Sequence, residues 1–290
     1  VSARSEADGD GPLVTALVPV REFEPRYLTA AIKSLVNQTD PVWKAIVVVE
    51  HDRRAAVEAT IGDGLRDARI TLAVNEGAGL AAAFNTGMVR ATTPFVAELL
   101  GDDLWTPNAV AVLTGAIRAR PDVDFFHTGR RIIDGDDDPI SEEYLARSEV
   151  SLEDFAMTAP VKHLLCWRRE LGLAAGGMDE SIRFHGPDDF DFPWTLAEHG
   201  AVFGAIPECV YLYRDHRSHP RLTIDVPRSV QLAELRRIFD KHGVPPSVTR
   251  TRLRAAKRSY LRQCRYRSEL HRRVARRLRI TPSGRHESYR

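Results

Sequence analysis

The chain has few cysteines and no long apolar run. Its three cysteines, Cys166, Cys209 and Cys264, stand far apart and form no CxxC pair. That spacing argues against a structural zinc site and for a reducing compartment. No apolar stretch approaches the roughly 18 residues that a membrane-spanning helix needs. The opening segment, VSARSEADGDGP, lacks an apolar signal core and reads as a disordered lead-in over residues 1–12. No GK[ST] follows the glycine-containing stretch Asn75–Gly87, and GxGxxG is not matched there either, so it is not a Walker loop. No internal repeat is found.

What is present suits a soluble globular protein. Of the 290 residues, 43% are hydrophobic and 28% charged, enough for one large α/β domain and a tail. The net charge of +1 hides an asymmetry. Residues 250–290 hold 15 Lys/Arg against two Glu, while the other 249 residues hold 26 Lys/Arg against 38 acids. Tail and body therefore differ in kind.

Up to about Gly129, strands and helices alternate. Strands are expected at Leu13–Val20, Ala45–Glu50, Ile70–Val74, Pro94–Leu100 and Asp122–His127. Helices are expected at Pro25–Val36, around Arg54–Leu65, near Leu80–Arg90 and after Pro107. Repeated βα units of this length imply a parallel, doubly wound sheet. After His127 the alternation breaks. A hairpin is expected over Arg130–Ile140, then a mixed region with a helix through Trp194–His199. Two short strands should straddle Pro207, followed by a helix at Gln231–Lys241, a linker at Gly243–Pro246 and helix again from Ser247.

Four stretches carry candidate chemistry. In VAELLGDD an apolar strand runs into Asp102 and Asp103, at the strand end where open α/β sheets bind ligands. Two adjacent like charges call for compensation, and a divalent cation such as Mg²⁺ or Mn²⁺ supplies it. The other reading is an exposed turn before a helix starting at Thr106-Pro107. NEGAGLAAAFNTG joins a strand to a helix through small residues that let backbone approach an anionic ligand, or is a plain turn. In Asp188-Asp189-Phe190-Asp191, Asp191 precedes Pro193 and is a natural N-cap. Asp188 and Asp189 then lie on an entry loop, where a carboxylate serves as general base or is simply solvated. Arg214-Asp215-His216-Arg217 follows a strand, where Arg and His bind phosphate or metal, or lie satisfied at the surface.

Taken in order, these segments resemble the family 2 inverting glycosyltransferases. The resemblance covers Val14–Arg221 and rests on LVTALVPVRE, LTAAIKSLVNQT, AIVVVEHD, NEGAGLAAAFNTGMVRATTPFVAELLGDD, RRELGLAAGGMDE, DDFDFPWTLAEHG and YRDH. It implies a GT-A fold: a Rossmann-like, mostly parallel sheet (13–129, nucleotide-sugar half), a mixed acceptor-side half (130–226) and a basic helical C-terminal extension (227–290). It also implies transfer of a sugar from a nucleotide-diphosphate sugar, a UDP-sugar foremost, to an acceptor hydroxyl, with Mn²⁺ or Mg²⁺. By this resemblance Pro19, Val20, Arg21, Glu50, Asn75, Gly79, Asn85 and Asp102 serve the nucleotide sugar. Asp102, Asp103 and His216 serve the metal. Asp189 is the general base, and Gly176, Gly177, Met178 and Asp188 shape the acceptor side. The chain departs from the family pattern at three places. Glu50 stands where Asp is more usual, Leu100 replaces the first acid of the metal motif, and Asp188 replaces Glu.

The residue types agree with transfer. A metal and a nearby cation stabilise the charge that develops on a leaving diphosphate. Single displacement needs one base carboxylate, whereas a hydrolase wants a second carboxylate across the scissile bond. Two other readings are a non-catalytic sugar-nucleotide-binding scaffold and a nucleotidyltransferase. PVREFEP lacks the glycine-rich basic loop that the latter ordinarily carries. In the tail, Leu253, Ala256, Tyr260, Cys264, Leu270, Val274 and Leu278 form a narrow apolar stripe on an Arg-rich helix. It would lie on an anionic membrane surface, dock on the acidic body or bind nucleic acid. The shortage of aromatics counts against nucleic acid, which is not expected as a partner. A cytoplasmic protein, peripheral at the inner membrane face if the tail binds lipid, is the expectation.

Overall fold

Alternating side chains on the first strands decide the architecture. The computed structural model describes residues 11–216 and 226–265. In β1 (Val14–Val20), Val14, Ala16, Val18 and Val20 enter one apolar cluster, while Leu17 enters another. A strand buried on both faces belongs inside a sheet covered by helices on both sides. β1 pairs in parallel with β2 (Lys44–Val49) and β4 (Phe95–Glu98), and β2 pairs in parallel with β3 (Ile70–Val74). The connections are α1 (Pro25–Val36), α2 (Arg54–Ile61) and α3 (Leu80–Arg90).

α1 begins on Pro25, whose missing N–H costs nothing in a first turn. Tyr27, Leu28, Ala31, Ile32 and Leu35 form its buried face. At about 1.5–3 kcal/mol per large buried side chain, that face outweighs intrinsic propensity. α3 lies close to β1 because of Gly87, where a Cβ would stand 2.9 Å from a Leu17 methyl.

The second half of the sheet is mixed. β4 is followed across the sheet by β7 (Leu165–Arg168), antiparallel to both β4 and β6 (Phe125–Ile133). β6 pairs in parallel with β8 (Phe203–Arg214), and β8 pairs antiparallel with the short β5 (Leu104–Trp105). The eight strands run β3-β2-β1-β4-β7-β6-β8-β5. The helices of this half are α4 (Ala109–Ala119), α5 (Leu152–Met157), α6 (Arg169–Ala174) and α7 (Phe192–Glu198). They are followed by α8 (Arg228–Lys241) and α9 (Pro246–Arg265).

Two expectations need correction here. The two strands expected on either side of Pro207 are one twelve-residue strand, β8. Its pairing with β6 slips around Pro207, from His127↔Ala205 to Gly129↔Cys209. A bulge tolerates a residue with no N–H to donate, so proline does not end the strand. Asp191 is not an N-cap: its backbone is already helical, no cap bond forms, and its carboxylate is spent elsewhere. The expected hairpin is present, with β6 reaching Ile133 and bridges at Ile133↔Pro139 and Arg130↔Tyr144.

A third apolar cluster joins the C-terminal helices to the body. Leu235, Ile238 and Phe239 of α8 pack with Phe155, Ile182, Phe190 and Trp194, and Leu253 and Ala256 of α9 pack against the same cluster. The start of the tail's apolar stripe thus docks on the protein. The remainder, from Tyr260 to Leu278, lies outside the described side chains. Among the described residues, no helix is long and apolar enough to cross a membrane.

Candidate active site

The parallel strands β1 to β4 end on one edge, and the candidate residues gather there. Beyond β4 the chain turns through Leu99–Asp103 into β5. Asp103 is buried and accepts hydrogen bonds from the Tyr211 hydroxyl at 2.7 Å and the Arg214 backbone N–H at 2.7 Å. Burial, then the Asp102 charge, pushes its pKa up to about 7. Asp102 keeps the more exposed carboxylate, with Oδ2 2.9 Å from His216 Nε2. The His216 ring is buried with its centroid 4.7 Å from that of Tyr27. Asp103 thus ties the turn to β8, and the Asp102 carboxylate and the His216 ring lie together at the strand edge.

Arg214, expected from sequence as a phosphate or metal contact, is buried and organises this turn instead. Its Nε donates to the Asp102 carbonyl at 2.7 Å and Nη1 to the Asp134 carbonyl at 3.1 Å. It also pairs with Asp137, and its guanidinium lies over Tyr27 at 4.4 Å.

Along the same edge, Glu50 follows β2 and Asn75 follows β3. Glu50 Oε1 accepts from Asn75 Nδ2 at 3.0 Å and from the Gly79 N–H at 3.0 Å. Gly79 caps α3 at φ 88°, a left-handed conformation that favours glycine. Pro19 pairs with Val48 and Val20 with Val49 at the ends of β1 and β2, and Arg21 beyond them is exposed. Asn85, expected on the nucleotide side, is turned towards the Gly177–Glu180 segment. Its Oδ1 accepts from the Met178 N–H at 2.7 Å, and Nδ2 donates to the Met178 carbonyl at 2.9 Å and to Glu180 at 3.0 Å. Gly177 permits this contact, since a Cβ there would stand 2.5 Å from Asn85 Oδ1. Gly176 and Gly177 have φ of 88° and 76°, and Met178 is buried beside them.

The second acidic cluster lies on a π turn, Pro187–Asp191, entered through left-handed Gly186. Its φ of 52° favours glycine, and a Cβ there would also crowd Phe190 Cβ at 2.9 Å. Asp188 is buried, whereas Asp189 is only partly covered and is the more accessible of the two. Burial, then the Asp188 charge, pushes Asp189 up to about 6. A general base for work near neutrality wants a value in this region.

Asp191 is fully buried and paired with Lys241 Nζ at 2.7 Å and His242 Nε2 at 3.0 Å. His242 Nδ1 lies 2.9 Å from Glu198, and the ring stacks on Trp194 at 4.2 Å. Glu234 accepts the backbone N–H groups of Arg183 and Phe184 at 3.1 and 2.6 Å. So α8 holds the loop that carries Asp189.

Three residues were missed in the sequence: Glu98, Arg130 and His163. Glu98 closes β4 and is fully buried, with Oε1 2.7 Å from His163 Nε2. The same nitrogen lies 3.6 Å from Asp188 Oδ2. Ligand atoms of Glu98, His163 and Asp188 fall within 4.8 Å of one another, a spacing that could hold a metal ion. Arg130 Nη1, however, lies 3.1 Å from His163 Nδ1. Arginine only donates, so Nδ1 accepts and the ring proton belongs on Nε2, which then has no lone pair for a metal. The signal in the sequence was a single Glu inside the apolar run VAELL.

Residues 16–169 match the family model described as "Glycosyl transferase family 2". The chain belongs to that family. It is 24% identical over 206 residues to O-antigen biosynthesis protein RfbC of Myxococcus xanthus, covering 70% of this chain and 16% of that protein. It is 27% identical over 133 residues to uncharacterized protein y4gI of Sinorhizobium fredii, covering 43% of this chain and 14% of that protein. The chain thus spans about one-sixth of the length of the curated relatives it matches. Among solved structures, S. aureus TarS 1–349 in complex with UDP-GlcNAc superposes with a TM-score of 0.58 at 15% identity, over 92% of this chain and 76% of that one. Mannosyltransferase PcManGT from Pyrobaculum calidifontis, in complex with GDP-Man and Mn²⁺, gives 0.57 at 20% identity, over 85% and 69%. These likenesses establish the GT-A fold for this family 2 chain.

Proposed function

We propose that the chain transfers a sugar, with inversion, from a nucleotide-diphosphate sugar to an acceptor hydroxyl, and that Asp189 is the base. The observation that carries this reading is the division between two acidic clusters. One, Asp102 with His216, stands at the edge of the parallel strands. The other, Asp188-Asp189, stands on a loop of the mixed half. In a single displacement the acceptor oxygen forms a bond to the anomeric carbon as the bond to the diphosphate oxygen breaks. The bonding electrons leave with the diphosphate, and the acceptor proton passes to the Asp189 carboxylate.

The Asp102 carboxylate oxygen suits Mn²⁺ or Mg²⁺ and a neighbouring imidazole favours Mn²⁺ of the two, so the Asp102–His216 pair, with the His216 ring proton on Nδ1, would fit a divalent ion. When bound, such an ion would offset the charge that develops on the diphosphate. Asp103 and Arg214 would hold Asp102 in place. Glu50, Asn75 and Gly79 would form the nucleotide end of the site. Glu50 Oε1 is already engaged, so a base edge would meet the other oxygen. Complexes of neighbours with UDP-GlcNAc and GDP-Man support a nucleotide-sugar donor, of which a UDP-sugar is our choice. The relative named for O-antigen biosynthesis supports a glycan acceptor.

The test is a thermal-shift panel of UDP- and GDP-sugars with and without Mn²⁺. A bound donor adds RT ln(1 + [L]/Kd), about 2.7 kcal/mol at roughly 100 times Kd. One nucleotide class should stabilise the protein in a Mn²⁺-dependent way. No shift with any donor would refute the reading.

A further inference from the structure

A buried acid beneath an active site is costly unless it does something, and Glu98 has no evident structural partner beyond His163. Both its oxygens lack an aligned hydrogen bond, and so does His163 Nε2, although Oε1 and Nε2 are 2.7 Å apart. The imidazole is gripped from its other side by Arg130 at 3.1 Å from Nδ1, and its ring centroid is 5.3 Å from Tyr211 and 6.1 Å from Tyr213. Nε2 thus sits between two carboxylates, one from β4 and one from the π turn. Glu98 is four residues before Asp102, and Asp188, at 3.6 Å, is next to Asp189. A small rotation of the ring moves its N–H from one carboxylate to the other.

We propose that Glu98 and His163 are positioning residues for the base: His163 presents its Nε2–H to the Asp188-Asp189 loop, and Glu98 holds the ring there. The proposal rests on Asp189 acting as the base. When Asp189 takes the acceptor proton, the loop loses a negative charge. The Nε2–H then turns towards Glu98, and no proton need leave the buried cluster.

The electrostatics agree. Burial raises Glu98 to about 7, with His163 opposing that rise and Asp188 adding to it. For His163, burial alone would lower the value. The Glu98 charge and hydrogen bonding to Asp188 outweigh burial and favour the protonated ring, while Arg130 against Nδ1 disfavours a second ring proton, so the proton the ring keeps is the one on Nε2. The groups facing this ring are Glu98 from β4, Arg130 from β6, Tyr211 and Tyr213 from β8, Asp188 and Asp189 from the π turn, and Asp103 more remotely. Asp189 in turn is lowered by His163 and by Arg130, and raised by Asp188.

The opposite roles of the two groups, a carboxylate and an N–H donor, give the test its sign. In the full chain, Glu98→Gln removes a negative charge near the base, so the acid limb of the kcat–pH profile should move to lower pH. His163→Gln removes the Nε2–H presented to the loop, so the limb should move to higher pH and kcat should fall about tenfold or more. The KM for donor should stay as in the wild type in both variants. A purely structural role would change stability without moving the two limbs in opposite directions. Folded variants whose limbs stay put, or move the same way, overturn the proposal. A second measurement needs no activity: ¹⁵N-histidine spectra of the wild type, with His163 assigned by its loss in His163→Gln. A proton on Nε2 across neutral pH is expected, and an unprotonated Nε2 overturns the proposal. If the wild type transfers no sugar, the proposed function fails by itself, and the spectra still decide whether the pair exists.

Discussion

The two acidic clusters are built differently. At the end of β4, Asp103 is held by a tyrosine hydroxyl and a backbone N–H, both neutral donors, and Asp102 Oδ2 meets His216 Nε2 at 2.9 Å. On the π turn, Asp188 and Asp191 are held by His163, Lys241 and His242, groups that carry or exchange protons. The first arrangement is fixed by a hydroxyl and a backbone N–H that keep their protons near neutrality. The second couples geometry to protonation, as the proposed role of Asp189 as base requires. The contrast also follows the fold. The first cluster hangs from β4 and is completed by Tyr211, Arg214 and His216, more than a hundred residues along the chain. The second depends on α8, about fifty residues further along the chain.

The largest effect should come from the base itself. Asp189→Asn should cost roughly 10²–10⁴ in turnover, measured as nucleotide release with acceptor present, while donor affinity stays at the wild-type value. Near-normal turnover would move the role to Asp188 and break the division between the clusters.

Asp191 tests the second cluster as a structure. Asp191→Asn leaves Lys241 and His242 facing an uncharged group. Breaking a buried pair costs about 3–5 kcal/mol; because Lys241 is part exposed, the lower end, about 3 kcal/mol, is expected in denaturant unfolding. Turnover should fall with it as α8 releases the loop. A change within about 0.5 kcal/mol, the usual scatter of surface substitutions, would mean that α8 does not hold the loop through this pair.

How legible each cluster was follows from the same difference. α1 was readable residue for residue because Pro25 and a helical apolar spacing are local signals. β3 and α3 were readable for the same reason, and Asp102 and Asp103 stood out as adjacent acids at a strand end. Pro207 misled because a bulge between distant strands, invisible in local sequence, accommodates it. Asp191 looked like a cap because Pro193 follows it, yet its partners Lys241 and His242 lie about fifty residues away. Glu98 and His163 are 65 positions apart and were passed over. Arg214 was noticed for its charge, and only the packing shows that backbone carbonyls and Asp137 use it.

The central claim is that the two clusters do separate jobs: Asp102 with His216 for the metal-bound donor, Asp189 for the proton. Titration calorimetry of donor binding tests it most directly, with and without Mn²⁺, in the wild type, in Asp102→Asn combined with His216→Gln, and in Asp189→Asn. The account predicts that Mn²⁺ strengthens donor binding in the wild type and equally in Asp189→Asn. In the double variant, Mn²⁺ should make no difference and affinity should equal the metal-free wild-type value. A double variant that still responds to Mn²⁺ as the wild type does, or an Asp189→Asn protein that has lost the response, would contradict it.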